Sequence, residues 1–328
     1  MKYNKKMFLE MFILLFIMIY LFLTPGSAES EQFGVVLIAH GSNQPEWNTK
    51  IEDFYNSFNR DLPPSQLAFL RFVEGRSLEV AVNNLRNDHP DMKEFLFVHL
   101  APSSYSIRHD EIELTVADLI KPPLQYKVAP AMDDHLLAGS ILKNYAEEFY
   151  RNSPTRSPEN ESLILLGYGP TDDLENVAWV RQLERIGARI RADLRFKEVA
   201  CITLRHHAAD LIRSQAIADL QRTARRLKVQ GRVVVVPYIL CAVPEDGFQR
   251  ELQSCLRGIV DPQDICKKGV ISHDNTKAWV TEVISKKMNQ TVLRSVNRNW
   301  SAMDGETATP LGSNKYDRIK IEKLLRKK

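Results

Sequence analysis

The chain has 328 residues, 44% of them apolar and 26% charged, which describes a folded globular protein of about two domains and excludes fibrous and disordered classes. Its 44 basic and 41 acidic side chains leave a net charge of +3, too little for a nucleic-acid binder built on a basic surface. Four cysteines are too few for a disulfide scaffold.

Residues 1–28 stand apart in composition. Lys2, Lys5 and Lys6 precede an uncharged run from Met11 to Leu23, and Gly26 and Ala28 then occupy the minus-three and minus-one positions of a cleavage site. This three-part pattern is that of a secretory signal peptide, and it predicts an exported protein, periplasmic or membrane-anchored facing outside the cytoplasm. The run from Met7 to Leu23, with Glu10 inside it, comes close to the roughly 20 residues of a spanning helix. An uncleaved anchor, with membrane association through residues 7–23, therefore stays open. Export also bears on the cysteines. Either Cys255 and Cys266 close a short loop as a disulfide, or all four thiols are free. No CxxC pair gives zinc-ribbon spacing.

The first predicted element beyond the leader is Phe33–Ala39 (FGVVLIA), a continuous apolar run ending in His40-Gly41-Ser42, with Asn48 eight residues after the histidine. An amphipathic helix follows, its apolar face marked by Ile51, Phe54, Tyr55 and Phe58. Phe95–Leu100 (FLFVHL) reads as a further buried strand, and Leu136–Tyr145 as a short helix opened by His135. The pattern then recurs. Ser162–Gly167 (SLILLG) ends in Tyr168-Gly169-Pro170, with Asn176 again eight residues on, at an offset of 128. Val177, Val180, Leu183 and Ile186 mark the matching helix. Val233–Tyr238 and a helix over Thr276–Met288, opened by His273, follow at an offset of 138.

Short buried strands alternating with helices predict an α/β fold of two tandem domains, each a small parallel sheet with helices on both faces. Their bounds are 33–150 and 162–287, joined by a polar, proline-containing linker over 151–161. Residues 288–328 form a basic tail, read as disordered over Trp300–Asn314 and as a short helix over Tyr316–Lys328. From Lys286 onward the chain carries eleven basic and four acidic residues, so docking of the tail on an acidic membrane is a second open route to the membrane.

Ligands of open parallel sheets sit beyond the carboxyl ends of the strands, and His40 falls there, before a flexible Gly-Ser turn. Imidazole both ligates metals and titrates near neutrality, so His40 is the first candidate for metal binding and catalysis. Tyr168 stands in its place in the second half, so the chemistry is expected to lean towards the first. The loop from Pro102 to Glu111 ends at the same edge and carries Arg108, His109, Asp110 and Glu111, which could supply a ligand, a proton acceptor and a cation. The same acids would equally suit a helix amino-terminus. His206 and His207 also follow a strand, but adjacent side chains point apart on most backbones, so at most one is expected to face a site. His99 reads as a core histidine, and His89 and His135 as surface or capping residues. No dinucleotide, Walker or nucleophile-elbow motif is present, which sets nucleotide cofactors and α/β-hydrolase chemistry aside.

A first strand ending in His40-Gly41-Ser42 with Asn48 eight residues on resembles the opening of the class II chelatases, and within them the sirohydrochlorin cobaltochelatase (CbiX-type) family. Ala68-Phe69-Leu70 with Ser77-Leu78-Glu79, and His273 to Trp279, resemble further family segments, and the two-copy arrangement is similar to the family's long form. The resemblance covers about residues 33–287. It implies a lyase of the metal-chelatase type that inserts a divalent ion into sirohydrochlorin or a related tetrapyrrole without ATP, as in cobalamin or sirohaem biosynthesis. Co2+ is the expected ion, with Ni2+ or Fe2+ as alternatives. The implied roles are His40 as metal ligand and proton acceptor, and Ser42, Arg108 and Tyr168 as substrate-binding residues. Ser106 stands where the family's second histidine is expected, and His109, three residues on, is the candidate to replace it as ligand. Arg71, Arg76, Arg108 and Arg205 are candidate partners for substrate carboxylates. The implied partner is a tetrapyrrole, with no nucleic acid; the oligomeric state stays open. The alternative reading is a non-catalytic exported tetrapyrrole- or metal-binding protein on a chelatase scaffold.

Overall fold

A computed structural model describes residues 33–106, 109–151, 157–243 and 247–304, with side chains described for these except 109, 110 and those from 290 onward. The leader, Arg108, the middle of the linker and most of the tail lie outside the described residues. The described residues through Lys287 form one compact unit, and those from Met288 to Asp304 belong to a second.

The first half runs β1 (Phe33–Ala39), α1 (Pro45–Asn56), β2 (Ser65–Phe69), α2 (Leu78–Asp88), β3 (Glu94–His99), α3 (His109–Leu119), β4 (Gln125–Ala129) and α4 (Leu136–Arg151). Its four strands are all parallel, in the order β2-β1-β3-β4. The second half runs β5 (Glu161–Gly167), α5 (Asp173–Leu194), β6 (Glu198–Thr203), α6 (Asp210–Gln230), β7 (Arg232–Tyr238), α7 (Gly247–Leu256) and α8 (Asp274–Asp304). It forms a parallel three-stranded sheet in the order β6-β5-β7. Each half places its first strand in the middle. Among the described residues the second sheet has no fourth strand, and the outer position holds a single bridge between Val235 and Ile265.

The uninterrupted apolar runs have a physical reason. Val35, Leu37 and Ala39 point into a cluster with Trp47, Ile51 and Phe54, while Val36 and Ile38 point the other way, into one with Leu78, Val82 and Leu85. A strand covered on both faces has no polar side to display. In β5, Leu163 and Leu165 join the first of these clusters, and Ile164 and Leu166 pack against Leu220, Ala224 and Leu227. One apolar layer thus takes a face of both sheets, with Ile141 and Leu142 of α4 and Leu183 and Ile186 of α5 in it. Burying each such side chain stabilises the fold by roughly 1.5–3 kcal/mol, and Leu165→Ala would cost about 2–5 kcal/mol.

One open alternative is settled and two expectations change. Cys255 and Cys266 are free thiols, because Cys255 packs in the cluster over α6 while Cys266 sits in the shared layer. The last helix does not end at Met288 and give way to coil at Trp300, but continues to Asp304, since neither Gly nor Pro interrupts the chain before Gly305. The helix predicted over Leu136–Tyr145 likewise extends to Arg151. Among the described residues no helix is long and apolar enough to cross a membrane.

Candidate active site

The carboxyl ends of both sheets open on one cavity of about 520 Å³. From the first half it is lined by His40, Ser42, Phe72, His99 and Ser106; from the second, by Tyr168, His206, His207, Cys241 and Arg250.

The turn after β1 is built to hold His40 still. Gly41 has φ +83°, and a Cβ there would meet the Arg71 carbonyl oxygen at 2.0 Å, so only glycine fits. Asn48, in the first turns of α1, accepts from Ser42 N–H at 2.8 Å and donates to the Ser42 carbonyl at 2.7 Å. These two bonds explain why an asparagine stands eight residues after the histidine. Ser42 Oγ in turn accepts from Gln44 N–H at 3.1 Å, which commits this hydroxyl to the turn. The His40 Nδ1–H donates to the Gly41 carbonyl at 2.7 Å, which leaves Nε2 as the basic nitrogen of the neutral ring.

In the second half, Gly169 has φ +78° and a Cβ there would meet Thr203 at 2.7 Å, but Asn176 turns to accept from the Thr203 hydroxyl at 2.6 Å. Here an arginine holds the turn instead. Arg205 donates to the Pro170 carbonyl at 3.1 Å and to Asp173 at 2.6 Å, so its guanidinium is bound to the loop. Of the other arginines named as carboxylate partners, Arg71 pairs with Glu111 at 3.4 Å and Arg76 with Glu52 at 3.7 Å. Arg250 lines the cavity and has no ion-pair partner among the described residues.

The histidines of the second half depart from expectation. His206 and His207 both line the cavity, with ring centroids 5.0 Å apart. Arg205 has a left-handed backbone, φ +52°, and the two histidines fall in the turn it starts, where successive side chains need not alternate. The second half therefore brings two imidazoles to the cavity, beside Tyr168. His206 Nδ1 donates to Glu251, whose other oxygen accepts from Arg213 Nε at 2.6 Å. Tyr168 sets its hydroxyl 2.8 Å from His207 Nε2 and stacks on Phe248 at 5.2 Å. Sequence order hides this group, since Glu251 lies 45 residues beyond His206; only the adjacent histidines at a strand end pointed to it.

His99 is buried at the end of β3 and also lines the cavity. Ser106 lines it as well, and its Oγ is buried with no hydrogen-bond partner among the described residues. Neighbouring Ser104 is pinned to Asp133 through its N–H at 2.7 Å and its hydroxyl at 2.9 Å. Burial, helped by the Asp133 carboxylate, raises the pKa of the Tyr105 phenol. His109 begins α3, but its side chain, like Arg108, lies outside the described residues. His89 and His135 lie outside the cavity: His89 closes α2, and His135 Nδ1 accepts from Leu137 N–H at 3.2 Å at the start of α4. Among the described residues no three His, Cys, Asp or Glu side chains gather as a metal cage.

Residues 34–144, which span the first sheet and its helices, match the family model described as CbiX. The fold is similar to that of the sirohydrochlorin chelatase SirB from Bacillus subtilis subspecies spizizenii in complex with cobalt. That match has a TM-score of 0.56 at 13% identity, over 79% of this chain and 96% of that one. It is also similar to SirB from Bacillus subtilis with Fe3+, with a TM-score of 0.57 at 14% identity over 81% and 98%. A multi-domain protein of Deinococcus radiodurans with structural similarity to chelatases aligns with a TM-score of 0.53 at 15% identity, over 77% of this chain and 55% of that one. Comparison with curated proteins returns no match.

Proposed function

We propose that this chain, whose residues 34–144 match the CbiX family model, is a class II chelatase that inserts a divalent metal ion into sirohydrochlorin or a related tetrapyrrole without ATP. Co2+ is the ion we expect first, with Ni2+ or Fe2+ as alternatives. The observation that carries the reading is the cavity at the carboxyl ends of the two sheets, lined by His40 together with aromatic and imidazole side chains from the other half. A volume of about 520 Å³ is that of a small-molecule site.

Metallation exchanges two pyrrole N–H protons for one divalent ion and removes water from that ion. It calls for a ligand that is also a base, and for open coordination positions, not for a covalent nucleophile. His40 Nε2 suits both tasks, because the Gly41 carbonyl fixes the proton on Nδ1. Ser42 and Tyr168 line the walls against which the macrocycle would lie, and Arg250 beside them is a cation for its carboxylates; Arg108 is a second such cation on the sequence pattern alone. The amino-terminal pattern of residues 1–28 supports export, with membrane contact through residues 7–23 or the basic tail.

One observation favours a second reading. Ser106, not a histidine, occupies the cavity wall after β3, which would suit a protein that binds tetrapyrrole or metal without joining them. Absorbance spectra of metal-free protein mixed with sirohydrochlorin and Co2+ separate the two. A metallated spectrum that grows faster than without protein, and no faster in His40→Ala, supports the chelatase. A spectrum that shifts at once with protein and then stays fixed supports binding alone.

A further inference from the structure

We infer that His206 is the second metal-ligating imidazole of the cavity, supplied by the second half and aimed by Glu251. The inference rests on the chelatase reading for its purpose, though not for its geometry. A histidine that ligates a metal almost always donates its other ring N–H to a fixed acceptor, which sets the tautomer and raises the basicity of the ligating nitrogen. His206 has that arrangement. Its Nδ1–H is taken by Glu251, which is itself held from the other side by Arg213 at 2.6 Å. Glu251 is nearly buried, with 9% of its side chain exposed, so this carboxylate is shielded from water and spends its charge on these two partners.

The tautomer that follows leaves the lone pair on His206 Nε2. No hydrogen bond to that nitrogen is made among the described residues, and a Cβ on Gly247, another cavity residue, would come within 3.5 Å of it. The absence of a side chain at Gly247 keeps that nitrogen approachable. His206 is further fixed by edge contact with Tyr168, at 5.2 Å between ring centroids, and with Phe248, at 6.3 Å. The first half offers Ser106, an unpartnered hydroxyl, after β3; the second half offers an oriented imidazole after β6. An ion held by one imidazole from each wall keeps positions for water and for incoming pyrrole nitrogens. A cargo ion that must be passed on needs such a loose site.

Co2+ titration of the metal-free full-length protein, read by the visible absorption of the bound ion, tests this on wild type, His206→Ala, Glu251→Gln and Ser106→Ala, with thermal unfolding as the check on folding. We expect His206→Ala to weaken Co2+ affinity tenfold or more, with partial recovery on adding free imidazole. Glu251→Gln keeps the ring but loses the carboxylate, and should weaken affinity about tenfold. Ser106→Ala should leave it unchanged. Co2+ affinity equal to wild type in a folded His206→Ala overturns the inference; so does a loss that Glu251→Gln does not share and imidazole does not restore. The titration reads the ligand even if no variant metallates sirohydrochlorin, an outcome that would overturn the chelatase reading alone.

Discussion

Asn48 shows how much one polar side chain can be asked to do at the mouth of a strand. It closes the turn that carries His40 by bonding both the N–H and the carbonyl of Ser42. Asn48→Ala strands both groups and should cost about 1–3 kcal/mol, measured by denaturant unfolding, with a loss of metallation larger than the stability change explains. Asn176→Ala, whose partner is the Thr203 hydroxyl, should cost stability without moving His40. Arg250 makes a different kind of prediction. As a cavity-lining cation with no ion-pair partner among the described residues, its replacement by Ala should raise KM for a polycarboxylate tetrapyrrole about three- to tenfold and spare kcat, the signature of lost uniform binding. An unchanged KM would remove Arg250 from the substrate contacts. At this scale His40 was legible because a histidine between a buried strand and a Gly-Ser turn has few structural uses. That His206 and His207 both line the cavity was missed because alternation of neighbours is a rule for extended chain, and Arg205 bends the backbone just before them.

Helix ends carry the second set of consequences. His273 lies just before α8, where its Nδ1 accepts from Asn275 N–H at 3.1 Å, as His135 does from Leu137 at α4. Burial lowers the His273 pKa below its ordinary 6.5, against the pull of Asp274. The sign follows directly: the unfolded chain takes up the proton first, so the cap's stability is complete above about pH 6.5 and is lost as pH falls through the lower folded value. Melting temperatures between pH 7.5 and 5 should therefore decline less steeply in His273→Asn, which caps without titrating; equal slopes would contradict this account. Elements buried on both faces were legible as apolar runs. β4 was not, because Gln125, Tyr126 and Lys127 are exposed on an edge strand and leave no such run. The full length of α8 was missed for a related reason, since its later turns are polar while lacking any residue that would stop them.

At the scale of the molecule, the two sheets through Lys287 share one apolar layer, and their carboxyl ends share one cavity. Which face of each strand turns to the shared layer could not be read from a run that is apolar on both sides, and so neither could the pairing of His40 with His206 across one space. The same packing governs the thiols. Burial pushes Cys201 up to about 12 and Cys266 up to about 11, and raises Cys255 as well. Thiolate-directed reagents should therefore leave these three unlabelled in the native protein and label them on unfolding, as peptide mass analysis would read; rapid native labelling of Cys266 would show that the shared layer is not closed around it.

The account turns on one cavity working with imidazoles from both halves, and the rate of Co2+ insertion into sirohydrochlorin by wild type, His40→Ala, His206→Ala and the double variant tests it most directly. Two ligands of one ion should fail together, so each single variant should lose most of the rate above the protein-free reaction, and the double variant little more than either. A wild-type rate equal to the protein-free one, or single variants as fast as wild type, would contradict it.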